Sequence, residues 1–473
     1  VARLGIFELD CDPALLLRLA ERFPSRYPLL LDSASAGPLA RYSVLVAQSV
    51  GGDALWLDRL GRLHARGEAD AVPRAGGFLA ALDAWWRRLS DPAPREQAVP
   101  EAGPFAGGLA VFLGYEVAAE IETRLTGVMP PAPEPLAAFA LRCPAALVLD
   151  HAAGRVRAVV EQGEDGAALL PQIREDLRRA AEAPPAAADG AGAMRWQEEP
   201  PERFLQRMVE VQSRIRAGDI YQANLSRSWR VELAPSAADP APSLYRRLRR
   251  ANPAPFAAWS RWGGMEILSS SPERLLRLDA LGNASTRPIA GTRPRDPHRD
   301  PEVDAALTRE LVANAKERAE HVMLIDLERN DLGRVCEAGT VAVPEYMTVE
   351  TYAHVHHIVS EVAGRLRQDV TPVGALAAVF PGGTITGCPK LRCMEIIAAL
   401  EGEGRGPYTG TLGLIGRDGS ADFNILIRTL SLAGGVLRLR AGAGIVADSV
   451  AARELEETRA KARGVLAAVA GEV

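Results

Sequence analysis

The sequence predicts an α+β fold built on large sheets. Three observations carry that expectation. Strand-like apolar runs follow one another in series. Helical stretches are mixed among them without regular βαβ alternation. The 473 residues are 47% apolar, enough for a large buried core. Taken in order, the elements begin with a helical stretch, Leu15 to Phe23, and strands such as Ala145-Ala-Leu-Val-Leu149. Pro130 to Pro135 reads as an internal loop, and Ala180 to Pro201, rich in Ala, Pro and Gly, as a linker or surface excursion. The chain thus divides into a region 1–185 and a region 200–473. In Pro201 to Ala217, Phe204, Met208, Val211 and Ile215 recur on one helical face. Strand-like runs follow at Tyr221 to Leu233, Met265 to Ser269, Leu275 to Leu278, Leu412 to Ile415 and Val436 to Arg440. Arg246 to Arg250 reads as a solvated, charged helix end. A long helical pattern covers Pro301 to Leu332, a short one Val373 to Val379, and a last one Ala451 to Val469.

The net charge of −5 provides no positive field for nucleic acid or an anionic membrane. No apolar run reaches the roughly 18 residues a membrane span needs. Glu8, Asp10 and Asp12 spoil the apolar centre of a secretion signal. Five scattered cysteines without CxxC spacing point to a reduced, cytoplasmic setting rather than a disulfide framework.

Two carboxylate pairs sit on helices at a spacing of three: Glu317 with Glu320, and Glu454 with Glu457. That spacing puts each pair on one face. Hard oxygen ligands of this kind suit Mg²⁺, and arginines nearby make surface ion pairing the other reading. Two glycine-rich segments, Arg440 to Asp448 and Pro381 to Lys390, let backbone approach a ligand, or simply turn. Neither is GxGxxG, which disfavours a dinucleotide site. In His354-Val-His356-His357, only His354 and His356 share a strand face. A metal site and a single proton-transfer histidine both remain open.

The serial order of motifs is more specific than any one of them. Ser270-Ser-Pro-Glu273-Arg274 is followed by Arg287-Pro-Ile-Ala290-Gly-Thr292-Arg293, Glu320-His321 and Asp326-Leu-Glu328-Arg-Asn330-Asp331. Then come His356-His357-Ile-Val-Ser360, Thr386-Gly-Cys-Pro-Lys390, Ile427-Arg428-Thr429 and Gly442-Ala443-Gly444-Ile-Val446. This pattern resembles the chorismate-utilising enzymes: component I of anthranilate or aminodeoxychorismate synthase, isochorismate synthase and salicylate synthase. The resemblance is strong over 200–473 and weaker over 1–180, and implies a multi-layer sandwich of sheets and helices.

It also implies roles. Glu320 and Glu457 would ligate Mg²⁺ on the ring carboxylate of chorismate, with Glu454 nearby. Backbone around Gly442, Ala443 and Gly444, with Lys461, would complete that clamp. Arg428 and Tyr408 would receive the enolpyruvyl carboxylate, a task that suits a bidentate guanidinium. Glu273 would protonate the departing C4 hydroxyl, and His357 would stand beside the ring. Thr292 and Lys390 would be further contacts. Gln222 occupies the place where water-using relatives carry a base lysine, which disfavours isochorismate and salicylate formation. Ammonia then becomes the nucleophile. The chain has no Gly-x-Cys-x-Gly elbow of a glutaminase, so the ammonia is expected from a glutamine amidotransferase subunit in a heterodimer.

Ala290 fills the position where many aminodeoxychorismate synthases carry a lysine that attacks C2; anthranilate-forming relatives carry alanine. Alone it favours anthranilate. Arg41-Tyr-Ser43, Asn224, Asp326 to Asn330, Pro381-Gly-Gly383 and Asp422-Phe-Asn424 resemble the aminodeoxychorismate type instead. Asp32 in Leu29-Leu-Leu-Asp32-Ser33 stands where anthranilate enzymes carry the Glu of a tryptophan site, which weakens a feedback reading. The expectation is 4-amino-4-deoxychorismate, on the route to p-aminobenzoate and folate, formed without a covalent lysine adduct. Anthranilate is the alternative. A catalytically silent binding homologue is a third reading, opposed by the intact set Glu273, Glu320, Arg428 and Glu457.

Overall fold

The computed structural model describes residues 4–470, apart from 36, 38, 91–102, 184–194, 234–238, 297, 299 and 352–354. Its frame is two antiparallel sheets, of twelve and eleven strands among the described residues. The first sheet runs Leu4–Leu9, Arg155–Glu161, Ala145–Asp150, Tyr42–Ala47, Leu29–Asp32, Phe256–Trp262, Met265–Ser271, Thr429–Ala433, Val436–Ile445, Gln222–Glu232 and Gln197–Glu198, with the short Gly387–Cys388 also paired to Gln222–Glu232. The second runs from Ile289–Pro294 and Val355–Arg365 through Asn283–Thr286, Arg274–Leu278, Ala421–Asn424 and Thr411–Ile415 to Leu109–Leu113, Leu136–Arg142, Ala54–Asp58 and Leu63–Arg66, with Ala342–Thr351 also paired to Val355–Arg365. Both sheets therefore interleave strands from before and after the 180–201 segment.

Alternation along single strands explains the layering. In Ala145–Asp150, Leu147 and Leu149 face one core while Ala146 and Val148 face another. In Leu109–Leu113, Val111 and Leu113 face outward helices while Ala110 and Phe112 join that same middle core. The middle core lies between the sheets. Outside the first sheet pack helices Leu15–Arg22, Glu164–Glu182, Ala241–Ala251 and Ala451–Ala470. Outside the second pack Gly77–Leu89, Ala315–Gly333 and Pro372–Val379. Strands buried on both faces read as continuous apolar runs, as these do. The expected sheet-and-helix sandwich is the observed architecture.

Three expectations need correction. The pattern Pro301 to Leu332 is two helices, Pro301–Ala313 and Ala315–Gly333. Asn314 breaks it with extended backbone, and its side-chain oxygen caps the second helix by accepting the Glu317 N–H at 3.2 Å. The Gly442–Gly444 segment is no turn; it continues the strand to Ile445. The arginine run is not merely solvated, for Arg246 pairs with Glu21 and Arg249 with the buried Asp32. His354 lies outside the described residues. All five cysteines are free. Among the described residues no helix is long and apolar enough to cross a membrane.

Candidate active site

Two crossovers between the sheets create the centre of the site. The chain leaves the first sheet after Ser271 and enters the second at Arg274, with Glu273 in the link. It returns between Asn424 and Thr429, with Arg428 in the link. The links are tied together. Ile425 N donates to Glu273 O at 3.0 Å, and Ser270 N donates to Arg428 O at 3.2 Å. Acid and cation are thereby held side by side. Arg428 adopts φ 51°, a left-handed conformation unusual for a non-glycine and characteristic of functional sites.

Glu273 is buried, and its Oε1 meets no hydrogen-bond partner. Burial pushes its carboxyl up to about 7, against the lowering pull of Thr384, Lys461, Arg428 and the Ile289 N–H. A carboxyl so placed can carry a proton at neutral pH. Burial lowers the pKa of Arg428, and among the described residues its guanidinium has no ion-pair partner. His357 is held neutral by burial, its pKa down at about 4, and its Nδ1 lies 3.3 Å from Gly291 O. That carbonyl belongs to the strand Ile289–Pro294, where Gly291, at φ 70°, marks a bulge after Ala290. Ala290 itself is buried next to the residue whose N–H meets Glu273.

The second wall is the strand Val436–Ile445. Its neighbour Thr429–Ala433 pairs only with Val436 to Leu439, so one edge is open beyond that point. On the other side Gly442 faces Ser226 and Gly444 faces Asn224. Ser226 N donates to Glu401 and Asn224 N to Thr386 O, both away from the glycine strand. These are therefore the non-hydrogen-bonded pairs of the ladder, and the backbone of Gly442 and Gly444 looks to the open edge. Lys461 Nζ confirms the direction by donating to Gly442 O at 3.0 Å. Ala443, opposite Leu225, spends its N–H in the ladder; it drops out of the expected clamp. A Cβ on Gly442 would lie 2.8 Å from Tyr408 Oη, and one on Gly444 would lie 2.4 Å from Gln222 Nε2 and 3.3 Å from Glu320 Oε1. The glycines are what let these side chains close in.

Gln222 donates to Glu320 at 2.8 Å. Glu457, half exposed, pairs with Lys461 at 2.7 Å, and Glu454 is buried one turn earlier. Through Gly444 and Lys461, Glu320 and Glu457 both border the open strand edge. No cluster of three or more His, Cys, Asp or Glu side chains suited to a metal occurs among the described residues. Mg²⁺ does not require one, since it commonly takes one or two carboxylates and completes its shell with water and substrate oxygens. The donor set fits Mg²⁺ on that basis.

Beneath this wall lies a buried charge network. Glu401 accepts from Ser226 N, Arg405 and Arg440, and Arg405 donates to Asn224 O and lies over the rings of Tyr115 and Tyr408. It braces Tyr408, whose burial pushes its hydroxyl up to about 12.

Lys390 does not join the group: its ammonium is held by Asp331 and Val379 O. Thr292 stands opposite His357 in the strand register. Of the histidine cluster, His356 is bound to Asp304 and Thr351, away from metal chemistry. Two features escaped the sequence reading. The Glu401 network joins residues too far apart in the chain to suggest one another. Glu328, a buried acid, was legible as one of a helical stripe with His321, Ile325 and Leu332.

Known proteins of similar sequence and fold identify the family. The family model described as chorismate binding enzyme matches residues 58–467. Anthranilate synthase component 1 of Streptomyces coelicolor is 43% identical over 413 residues, 84% of this chain and 78% of that protein. An aminodeoxychorismate synthase of Streptomyces griseus is 40% identical over 425 residues, 85% of this chain and 55% of that protein. The crystal structure of anthranilate synthase component I from Streptococcus pneumoniae superposes with a TM-score of 0.75 at 30% identity, covering 91% of this chain and 93% of that one. The chain belongs to the chorismate-binding enzyme family.

Proposed function

We propose that this chain aminates chorismate with ammonia and releases 4-amino-4-deoxychorismate. The observation that carries the reading is the buried Glu273 carboxyl, able to hold a proton at neutral pH, beside the unpaired Arg428 guanidinium. Arg428 and Tyr408 would take the enolpyruvyl carboxylate; Gly442, Gly444 and Lys461 would meet the ring carboxylate. Glu320 and Glu457, with Glu454 behind them, would hold Mg²⁺, which would neutralise that carboxylate and ease the arrival of electrons in the ring.

Glu273 gives its proton to the C4 hydroxyl, which leaves as water while ammonia bonds to C2 and the conjugated double bonds of the ring shift together; the new ammonium then returns a proton to the Glu273 carboxylate. Ala290 has no nucleophile to offer, and the Gln222 amide, bonded to Glu320, is no base for activating water. A second ammonia then bonds to C4, the double bond shifts back, and the C2 amine leaves as ammonia with a proton from the acid. The ammonia is supplied by a separate glutamine amidotransferase subunit.

The product assignment draws on the aminodeoxychorismate-type segments. At 381–383 the anthranilate type more often reads Pro-Ala-Gly, and here a Cβ on Gly382 would lie 2.8 Å from Ile425 Cδ1. In the Asp422–Asn424 segment, Asp422 holds Arg274 through two bonds of 2.9 and 3.0 Å, next to the acid. The second reading is anthranilate, in which the C2 amine stays and pyruvate leaves. The comparisons favour it, since the 43% identical relative and those at 37% and 48% identity are anthranilate synthase components. One assay separates the two. Protein, chorismate, Mg²⁺ and ammonium are mixed with and without an aminodeoxychorismate lyase. Lyase-dependent p-aminobenzoate supports the first reading; lyase-independent anthranilate fluorescence establishes the second.

A further inference from the structure

The helix Ala315–Gly333 carries a second carboxyl that none of these steps uses. His321, Ile325, Glu328 and Leu332 recur on one face and are all buried, Glu328 at 8% exposure. A stripe of this kind is ordinarily apolar, and an ionised acid within it is costly unless paired. Among the described residues no ion pair reaches Glu328. Its Oε2 is buried without a hydrogen-bond partner, and so is Oε1 of Glu273. The groups that face it come from four elements: the Thr286 hydroxyl from Asn283–Thr286, Glu273 from the sheet crossover, Asp331 from its own helix, and Lys390 from Lys390–Glu401. The Lys390 ammonium is already committed to Asp331. Around Glu273 itself stand Arg428, Lys461, Thr384 and the Ile289 N–H. Burial, with the nearby Glu273 and Asp331 adding to it, holds the Glu328 carboxyl up at about 8, against the lowering pull of Thr286 and Lys390. Two carboxyls sharing such a place resist losing both protons, and they titrate as a pair.

We propose that Glu328 is a positioning residue for the acid: it and Glu273 hold one proton between them, and the pair keeps Glu273 loaded between successive donations to the ring. When Glu273 has given that proton to the departing hydroxyl, two neighbouring carboxylates remain, and their mutual repulsion makes Glu273 take up a proton readily. The hydrogen shed by the newly bonded nitrogen restores the pair, so chorismate and ammonia yield aminated ring and water with no other reactant. The inference rests on the reading of Glu273 as the acid of chorismate amination.

The test is the pH dependence of kcat for chorismate consumption, with free ammonia held constant across the series. Glu328→Gln removes the shared proton and the like charge. Its alkaline limb should move down by about one pH unit, so that the rate near pH 8, relative to the same variant's rate near pH 6, falls about fivefold further than in the wild type. Glu328→Met, which replaces a buried acid by an apolar side chain of similar size, provides a second variant expected to fold. Glu328→Asp should restore the wild-type limb. A limb that stays in place in either folded neutral variant, with a uniform loss at every pH, overturns the proposal. Absence of turnover in the wild type overturns the reading of the site, and this inference with it; turnover with an unmoved limb overturns this inference alone.

Discussion

Replacing Glu401 by glutamine removes the anion from the buried network under the substrate wall. Its side chain is fully buried, and the guanidinium groups it holds, Arg405 and Arg440, are nearly so. Burial opposes the charge, yet the two arginines and the Ser226 N–H hold the carboxyl down at about 2, against an ordinary 4.5. A depression of that size corresponds to roughly 3 kcal/mol of stability. The sign follows from the depression: the contribution is present above the unfolded value and disappears as pH falls from about 4.5 through about 2. At neutral pH the substitution also strands the buried Arg405 and leaves Arg440 with Glu403 alone, which costs about 3–5 kcal/mol in comparable cases. With roughly 2 cal/mol/K of unfolding entropy per residue, a chain of 473 residues carries about 1 kcal/mol/K. Tm should therefore drop by about 3–5 °C at pH 7, read by calorimetry, and the gap from wild type should narrow at acid pH. Arg405 also lies over Tyr408 and donates to Asn224 O, so KM for chorismate should rise in the same variant. A Tm loss under about 1 °C at pH 7 would refute the account of the network.

Glu273→Gln should lower kcat by about 10²–10⁴-fold with a small change in KM. In the wild type the rate, at constant free ammonia, should fall as pH rises through about 7, because the acid must hold its proton. Arg428→Lys keeps the charge but loses the fork, and a tenfold or greater rise in KM is expected from about 1.5–3 kcal/mol of charge-assisted bonding; an unchanged KM would remove Arg428 from the substrate contacts. Incubating Ala290→Lys with chorismate should add a chorismate-derived mass to the intact protein, whereas an unmodified spectrum would place that position away from C2. Chelation with EDTA should stop chorismate consumption and added Mg²⁺ should restore it; turnover indifferent to chelation would rule out the metal role of Glu320 and Glu457.

The sandwich was legible because its strands are buried on both faces and so announce themselves as apolar runs, as Ala145 to Leu149 does. The break at Asn314 was not, since the apolar period carries across a cap that depends on side-chain geometry. Among the candidate site residues, motif order singled out Glu273, Glu320 and Arg428, and the family resemblance added Tyr408, Gln222 and Lys461; the structure gathers them around the two crossovers and the glycine-bearing strand. Ala443 and Lys390 were misread for a common reason. Each sits among ligand-facing neighbours, but ladder alternation turns the Ala443 amide toward Leu225, and Asp331 captures the Lys390 ammonium. Spacing alone does not reveal which partner wins. Glu328 could have been found from its helical stripe, because an acid at a buried position of such a stripe conflicts with its surroundings unless it serves some purpose there.

The interleaving of the two sheets sets a timetable for biosynthesis. The strand Leu29–Asp32 pairs on one side with Phe256–Trp262, and Leu109–Leu113 with Thr411–Ile415. Each early strand waits for a partner two to three hundred residues downstream. At about 5–20 residues per second, that leaves an unpaired edge and an uncovered apolar face for on the order of 10–60 s on the ribosome. Non-local pairing of this extent also slows folding after release. Chaperone occupancy on the nascent first half is the expected companion of this architecture, and splitting the chain at the 184–194 segment should yield two fragments that fold only when they meet.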